Sequence, residues 1–379
     1  MSERARVRAA LVLSLAAAVT CSAARYVRAE PARAGRATAL SAARGMATPP
    51  VTLAPLFRAA VAGILLPGAA LSPEGELLVA TADGDIVSIS ATGTVRSFAT
   101  LEESLGHGPV PLSANRFVVA GTKNALLTGK FDTAGLSPLR MTLGRFTPAS
   151  AGGAPVPPVS DGADGVWFAR GARFLHVSGS RVLADGLLPR TLTGLSSLGP
   201  LGAAAFDGEG NVFLLGAPGR PPISLGSARS GVEAIPLDGP RALVACSDGA
   251  LVTVHLDTRK IDVAMLPKHL GNLLIRPGHG AAYVDTGGNL VLLDKGGASV
   301  ATVALGGRAA EVASLPDGEV AVALSNGEVM IVDGTGSARA SGRGCDSPIS
   351  LIHGPGRLLV ACRDGRVLAL GDEPTARTP

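Results

Sequence analysis

Asp83, Asp248, Asn326 and Asp364 stand at matching places along the chain, each directly before a glycine. Drawn as a ring of convergent oxygens, they would hold a cation. Turn chemistry alone puts Asp or Asn before Gly, because these side chains satisfy neighbouring backbone N–H groups while Gly takes positive φ. These residues are therefore expected to form turns rather than hold a metal. The six histidines (107, 176, 255, 269, 279 and 353) show no H-x-H or H-E-x-x-H spacing for a metal. His176 and His255 fall inside expected strands and the others in loops. The sequence contains neither a G-x-S-x-G nucleophile elbow nor a phosphate-cradling P-loop. No catalytic, cofactor-binding or metal-ligating residue is assigned, and no cofactor is expected.

The cysteines speak to compartment more than to chemistry. Cys345 and Cys362 lie 17 residues apart in the last apolar repeat, where they could approach across an antiparallel pair. A disulfide there would suit an oxidising compartment. Cys246 matches Cys362 in its own repeat and reads as a small buried core residue. Cys21 belongs to the N-terminal segment.

Those side chains must be held by a large fold. Of 379 residues, 46% are hydrophobic but only 3% aromatic and 17% charged, with 50 Gly and 27 Pro, which is apolar enough for a globular core. The net charge of +4 is unevenly spread: residues 1–50 hold eight Arg against two Glu, a balance of +6, so the remainder carries −2. A nearly neutral body with few aromatic rings lacks the basic footprint and stacking platforms that nucleic acid requires. Carbohydrate platforms of aromatic rings are disfavoured on the same count.

Arg4, Arg6 and Arg8 precede an apolar run from Ala9 to Val19, broken only by Ser14, and small residues follow at Ser22, Ala23 and Ala24. This is the order of a secretory signal peptide, expected over residues 1–24. The run falls short of the roughly 20 residues that span a bilayer, so an uncleaved anchor is the lesser reading. Cys21 would carry lipid if the segment were a lipoprotein signal, although Ala18, Val19 and Thr20 depart from the usual residues before such a cysteine. An Arg-rich organellar transit peptide is a third reading, opposed by the uninterrupted apolar run. Residues 25–50 read as a flexible linker and 374–379 as a disordered tail.

From residue 70 onward one pattern recurs: an apolar run, a glycine turn, and a second apolar run. Its clearest copies are LLVATADGDIVSI from Leu77, LVACSDGALVTV from Leu243, VAVALSNGEVMIV from Val320 and LLVACRDGRVLAL from Leu358. YVDTGGNLVLL from Tyr283 is a fifth, and weaker copies begin at Phe117, Val166 and Asn211. Each reads as a hairpin, with Asp-Gly or Asn-Gly as a two-residue turn. Taking Gly84, Asn124, Gly171, Gly216, Gly249, Gly288, Gly327 and Gly365 as markers, the mean period is about 40 residues. Turns ahead of the hairpins and apolar runs after them raise each repeat to four strands.

Four antiparallel strands every 40 or so residues predict the blades of an all-β propeller over residues 51–373. Eight markers give eight blades; if the irregular Gly216 copy is an insertion, seven. The last repeat lacks an outer strand, which Val51 to Leu65 could supply to close the ring. The repeats resemble the PQQ-like (quinoprotein-like) and WD40-like propeller superfamily, in which an apolar strand, Thr or Ser, one residue, Asp-Gly and a second apolar strand recur once per blade. The WD dipeptide and Gly-His pair of WD40 repeats are missing, so the resemblance carries a fold and not an activity.

Quinone-dependent members of that superfamily resemble propellers with repeated Trp motifs, a calcium site and vicinal cysteines. This chain has one Trp, Trp167, and no adjacent Cys pair; Trp167 reads as a packed strand residue. Lactonase-like propellers need convergent metal ligands, which this sequence does not reveal. The expectation is an exported, non-catalytic propeller, periplasmic or secreted, that binds a protein partner or acts as a scaffold. It would have no transmembrane segment after signal removal. Two alternatives stay open. One is an envelope assembly factor similar to the outer-membrane lipoprotein propeller that helps insert barrel proteins, which would need lipid on Cys21. The other is an enzyme with its site at the central channel of the ring.

Overall fold

The computed structural model describes residues 50–112, 116–122, 126–131, 142–144, 155–179, 181–216, 221–227, 231–237, 239–246, 250–258, 260–265, 270–276, 279–285 and 287–372. The expected signal segment with Cys21, nearly all of the linker, and the tail lie outside them. The regular structure described is strand, apart from two single 3-10 turns at Gly199–Leu201 and Pro316–Gly318. None of the described residues form a helix long and apolar enough to cross a membrane.

The strands gather into antiparallel sheets of four in chain order, over residues 70–100, 110–144, 155–187, 192–227, 231–265 and 270–304. Residues 309–343 form a seventh such unit, and the last three strands (348–372) begin an eighth. Its fourth strand comes from the other end of the fold: Val51–Ala60 runs antiparallel to Arg366–Asp372, from Leu53 opposite Asp372 to Ala60 opposite Arg366. A register shift between Pro55 and Phe57 interrupts the ladder. The first three residues of this closing strand also pair in parallel with Ala340–Gly342, which merges the seventh and eighth units into one eight-stranded sheet. The stretch from Val61 to Leu65 does not extend the strand; Leu65 bridges to Thr81 instead.

The apolar runs are continuous, without the usual alternation, because each sheet is buried on both faces. Leu77 and Val79 face the eighth unit, whereas Leu78 and Ala80 face the second. In the same way Leu358, Val360 and Cys362 face the seventh unit while Leu359 and Ala361 face the first. Strand geometry alone enforces this split, since successive side chains point to opposite faces. Eight buried clusters result among the described residues, each filling the seam between consecutive units. The seam between the eighth unit and the first joins Leu77, Val79, Val87 and Ile89 to Leu359, Ala361, Val367 and Ala369, and so closes the ring.

The hairpin turns correct one expectation. At Thr81–Asp85 the Gly84 N–H donates to the Thr81 carbonyl (3.2 Å) and the Thr81 N–H to the Asp85 carbonyl (2.8 Å), leaving three residues in the loop rather than two. Gly84 takes φ of 103°, while Asp83 stays at negative φ. This is a type I turn finished by a left-handed glycine, the usual three-residue hairpin. Gly365, at φ 89°, repeats the arrangement in the eighth unit, where a Cβ would lie 2.2 Å from the Val61 carbonyl oxygen. Its own carbonyl accepts the Val61 N–H at 2.8 Å, so the closing segment and this turn require glycine there.

Candidate functional site

From the first unit to the eighth, the first strand of each unit contacts the first strand of the next, so these strands line the centre of the ring. One of the residues they carry is Glu311. It is partly buried in Ala309–Ser314, and burial, with no offsetting hydrogen bond or charge, pushes its carboxyl up to about 7. Glu233 holds the corresponding place in the fifth unit: each glutamate follows a register shift and faces an alanine, Ala245 or Ala323. Ser350 opposite Ala361 is its counterpart in the eighth unit. A carboxyl near neutrality on an inner strand can exchange a proton with a bound molecule. The described residues contain no cluster of three or more His, Cys, Asp or Glu side chains able to hold a metal.

A second constellation sits in the third unit. Trp167 and His176 are cross-strand partners whose rings stack 4.1 Å apart at 8°. His176 Nε2 donates to Asp161 Oδ2 at 2.9 Å, and Asp161 Oδ1 accepts the N–H groups of Ala163 (2.8 Å) and Gly165 (3.0 Å). Burial works to raise the Asp161 carboxyl, but these bonds outweigh it and hold the group below its usual range. Trp167 Nε1 and His176 Nδ1 are buried with no hydrogen-bond partner among the described residues. The pairing orients the imidazole as a catalytic dyad would, yet among the described residues no hydroxyl or thiol bonds to Nδ1, so the arrangement is a pin within the sheet.

No family model matches the chain, and no curated protein matches it. Solved structures do. BamB from Moraxella catarrhalis is similar with a TM-score of 0.60 and 14% identity, over 84% of this chain and 100% of that one. Sqt1 from Saccharomyces cerevisiae has a TM-score of 0.65 at 12% identity, over 86% and 100%. BBS1N, solved in complex with ARL6DN, gives 0.56 at 16% identity, over 86% and 99%. The fold is a β-propeller.

Within the propeller the repeated Asp and Asn residues act locally. Asn326 Oδ1 accepts the Glu328 N–H (3.0 Å) and Asp364 Oδ1 the Arg366 N–H (3.2 Å). Asp248 lies outside the described residues. A second set of acids, not singled out from the sequence, does the same at other turns. Asp207 caps Glu209 and Asn211, Asp294 caps Gly296 and Ala298, and Asp333 caps Thr335 and Ser337. Their signal was an Asp two and four residues ahead of the N–H groups it satisfies.

The described histidines do not converge. His255 Nε2 bonds Asp262 at 3.0 Å on an outer strand. Burial holds His107 below its usual value, against the bond its Nδ1 donates to the Gly108 carbonyl (2.9 Å). His279 lies against Gly318, and His353 on the first strand of the eighth blade. His269 falls outside the described residues. Cys345 and Cys362 are bonded as a disulfide with Cα atoms 6.3 Å apart, buried in the seam between the seventh and eighth blades. Cys246 is a buried thiol facing the fourth blade, as Cys362 faces the seventh. Trp167 is a packed strand residue, but its stack on His176 was not legible beforehand.

Proposed function

We propose that the chain is an exported eight-bladed propeller that binds a protein partner and acts as a scaffold. The observation that carries this reading is the ring itself: eight seams held shut by the closing strand, with turns presented on a rigid frame. Arg357 strengthens the closure, donating to the carbonyls of Ala91 and Gly75 in the first blade (2.6 Å to Gly75) while lying over the Phe57 ring. A frame so fixed binds with little ordering cost, the usual advantage of a preorganised surface. BBS1N, a propeller solved with a protein partner, supports the reading by likeness of fold alone.

Export rests on the signal-like segment over residues 1–24, with the linker 25–50 and the tail 374–379 flanking the propeller, and the disulfide suits the periplasm or the extracellular medium. If Cys21 carries lipid, the same frame becomes an envelope assembly factor tethered to a membrane. The charge balance disfavours nucleic acid as partner. Glu311 favours the second reading, an enzyme or small-molecule binder at the channel.

Native mass spectrometry of the protein purified from its own cells separates these. A mass showing cleavage near Ala24 and the loss of two hydrogens, in a stoichiometric complex with another protein, is the expected result. A small-molecule or metal adduct lost on denaturation, with no protein partner, would overturn the scaffold reading in favour of the channel. An added diacylglyceride mass at the N-terminus would mark the lipoprotein.

A further inference from the structure

We propose that a cavity beside the closing strand is a binding site for an acidic peptide segment carrying aliphatic side chains. The closing strand pairs with the seventh blade only through Val51–Leu53 and then follows the eighth. A cavity of about 310 Å3 lies where residues of these strands meet. Its lining brings together Arg58 from the closing strand, Arg343 from the outer strand of the seventh blade and Arg366 from the eighth, against one carboxylate, Asp346. The disulfide half Cys345 and the buried Leu368 supply apolar lining.

Three guanidinium groups around one cavity repel one another unless an anion enters. Arg366 is already engaged, its Nε donating to Asp364 at 2.7 Å. Arg58 and Arg343 have no ion pair among the described residues, although Glu328 stands opposite Arg343 in the strand register. A guanidinium presents two parallel donors that fit a carboxylate, and in a concave site the field of like charges is focused on the entering group. The volume is at the lower end of ligand sites, roughly 300 Å3, enough for one or two side chains.

The lining also selects among anions. Asp346 in the lining repels a phosphate dianion more than a singly charged group, and phosphate leaves the apolar lining uncovered. A peptide carboxylate carries half that charge, and a neighbouring Leu or Val covers the floor. The inference rests on the protein-binding reading and names the chemistry of one contact.

The test uses the purified full chain and a fluorescein-labelled Glu-Leu-Glu-Leu-Glu peptide, followed by fluorescence anisotropy, with a Lys-Leu-Lys-Leu-Lys peptide as control. Saturable binding of the acidic peptide is expected, weakened at least tenfold by R58E/R343E, severalfold by R343Q and by raised salt, and unchanged by R181Q on the third blade. Melting curves establish that the variants fold; if the double variant does not, the exposed single change R343Q decides. Absence of saturable binding, or equal binding in R343Q, would overturn the proposal. So would displacement of the peptide by inorganic phosphate at the concentration at which free glutamate displaces it, which would mark a small-oxyanion site. A native protein complex that survives R58E/R343E would remove this contact while leaving the scaffold reading intact.

Discussion

Glu311 sets a pH dependence that can be read from its burial. Its carboxyl, raised from 4.5 to about 7, binds a proton in the folded state over a window in which the unfolded chain has already lost it. The folded protein therefore loses stability as pH climbs from about 4.5 and bears the full penalty above about 7, on the order of 2 kcal/mol after allowance for partial exposure. Glu311→Gln keeps the shape and removes the titration. Thermal melts at pH 5 and pH 8 should show wild type losing more stability between the two than E311Q; parallel losses would mean another group is responsible. Asp161 has the opposite sign: held below its usual range, it contributes stability above the unfolded value that is lost as pH falls through its folded one. Replacing it by Ala leaves His176 Nε2 and two backbone N–H groups without their acceptor, for an expected cost of about 2 kcal/mol in urea unfolding at pH 7. Neither residue's role was legible in the sequence, because burial and partners depend on strands brought together only by the fold. Trp167 and His176, nine residues apart, are neighbours only once the hairpin register is known.

Strands and turns were far more legible. Continuous apolar runs bounded by Gly turns marked the second and third strand of most blades, since a sheet buried on both faces leaves no polar face to confuse the period. Two of the first strands, Ala70–Leu71 and Val110–Pro111, are too short to signal themselves. The closing strand was visible only as an apolar stretch with no hairpin of its own. Deleting residues 51–60 exposes the edge of Arg366–Asp372 and removes Leu53 and Ala59 from two seams. The melting temperature should fall by at least about 5 °C; an unchanged value would show that the ring does not depend on this strand. The disulfide acts on the same blade. Its 17-residue separation predicts a loss of about 3 kcal/mol in C345A/C362A by the chain-entropy account, measurable by denaturant unfolding of the variant beside wild type under non-reducing conditions.

For the molecule as a whole, the period of about 40 residues made the architecture readable, since a repeat that cannot bury both faces alone must stack against copies of itself. The charged cavity was not readable, because Arg58, Arg343 and Arg366 are assembled only when the ring closes. That closure has a further bearing on how the protein is made. The strand at 51–60 has no antiparallel partner until residues 366–372 exist, and such distant pairing is slow to form and leaves an open edge meanwhile. A chain halted late in synthesis would keep most of its blades but lack the pairing that seals them. A truncated product would thus carry an unpaired strand edge, the kind of surface through which chains aggregate.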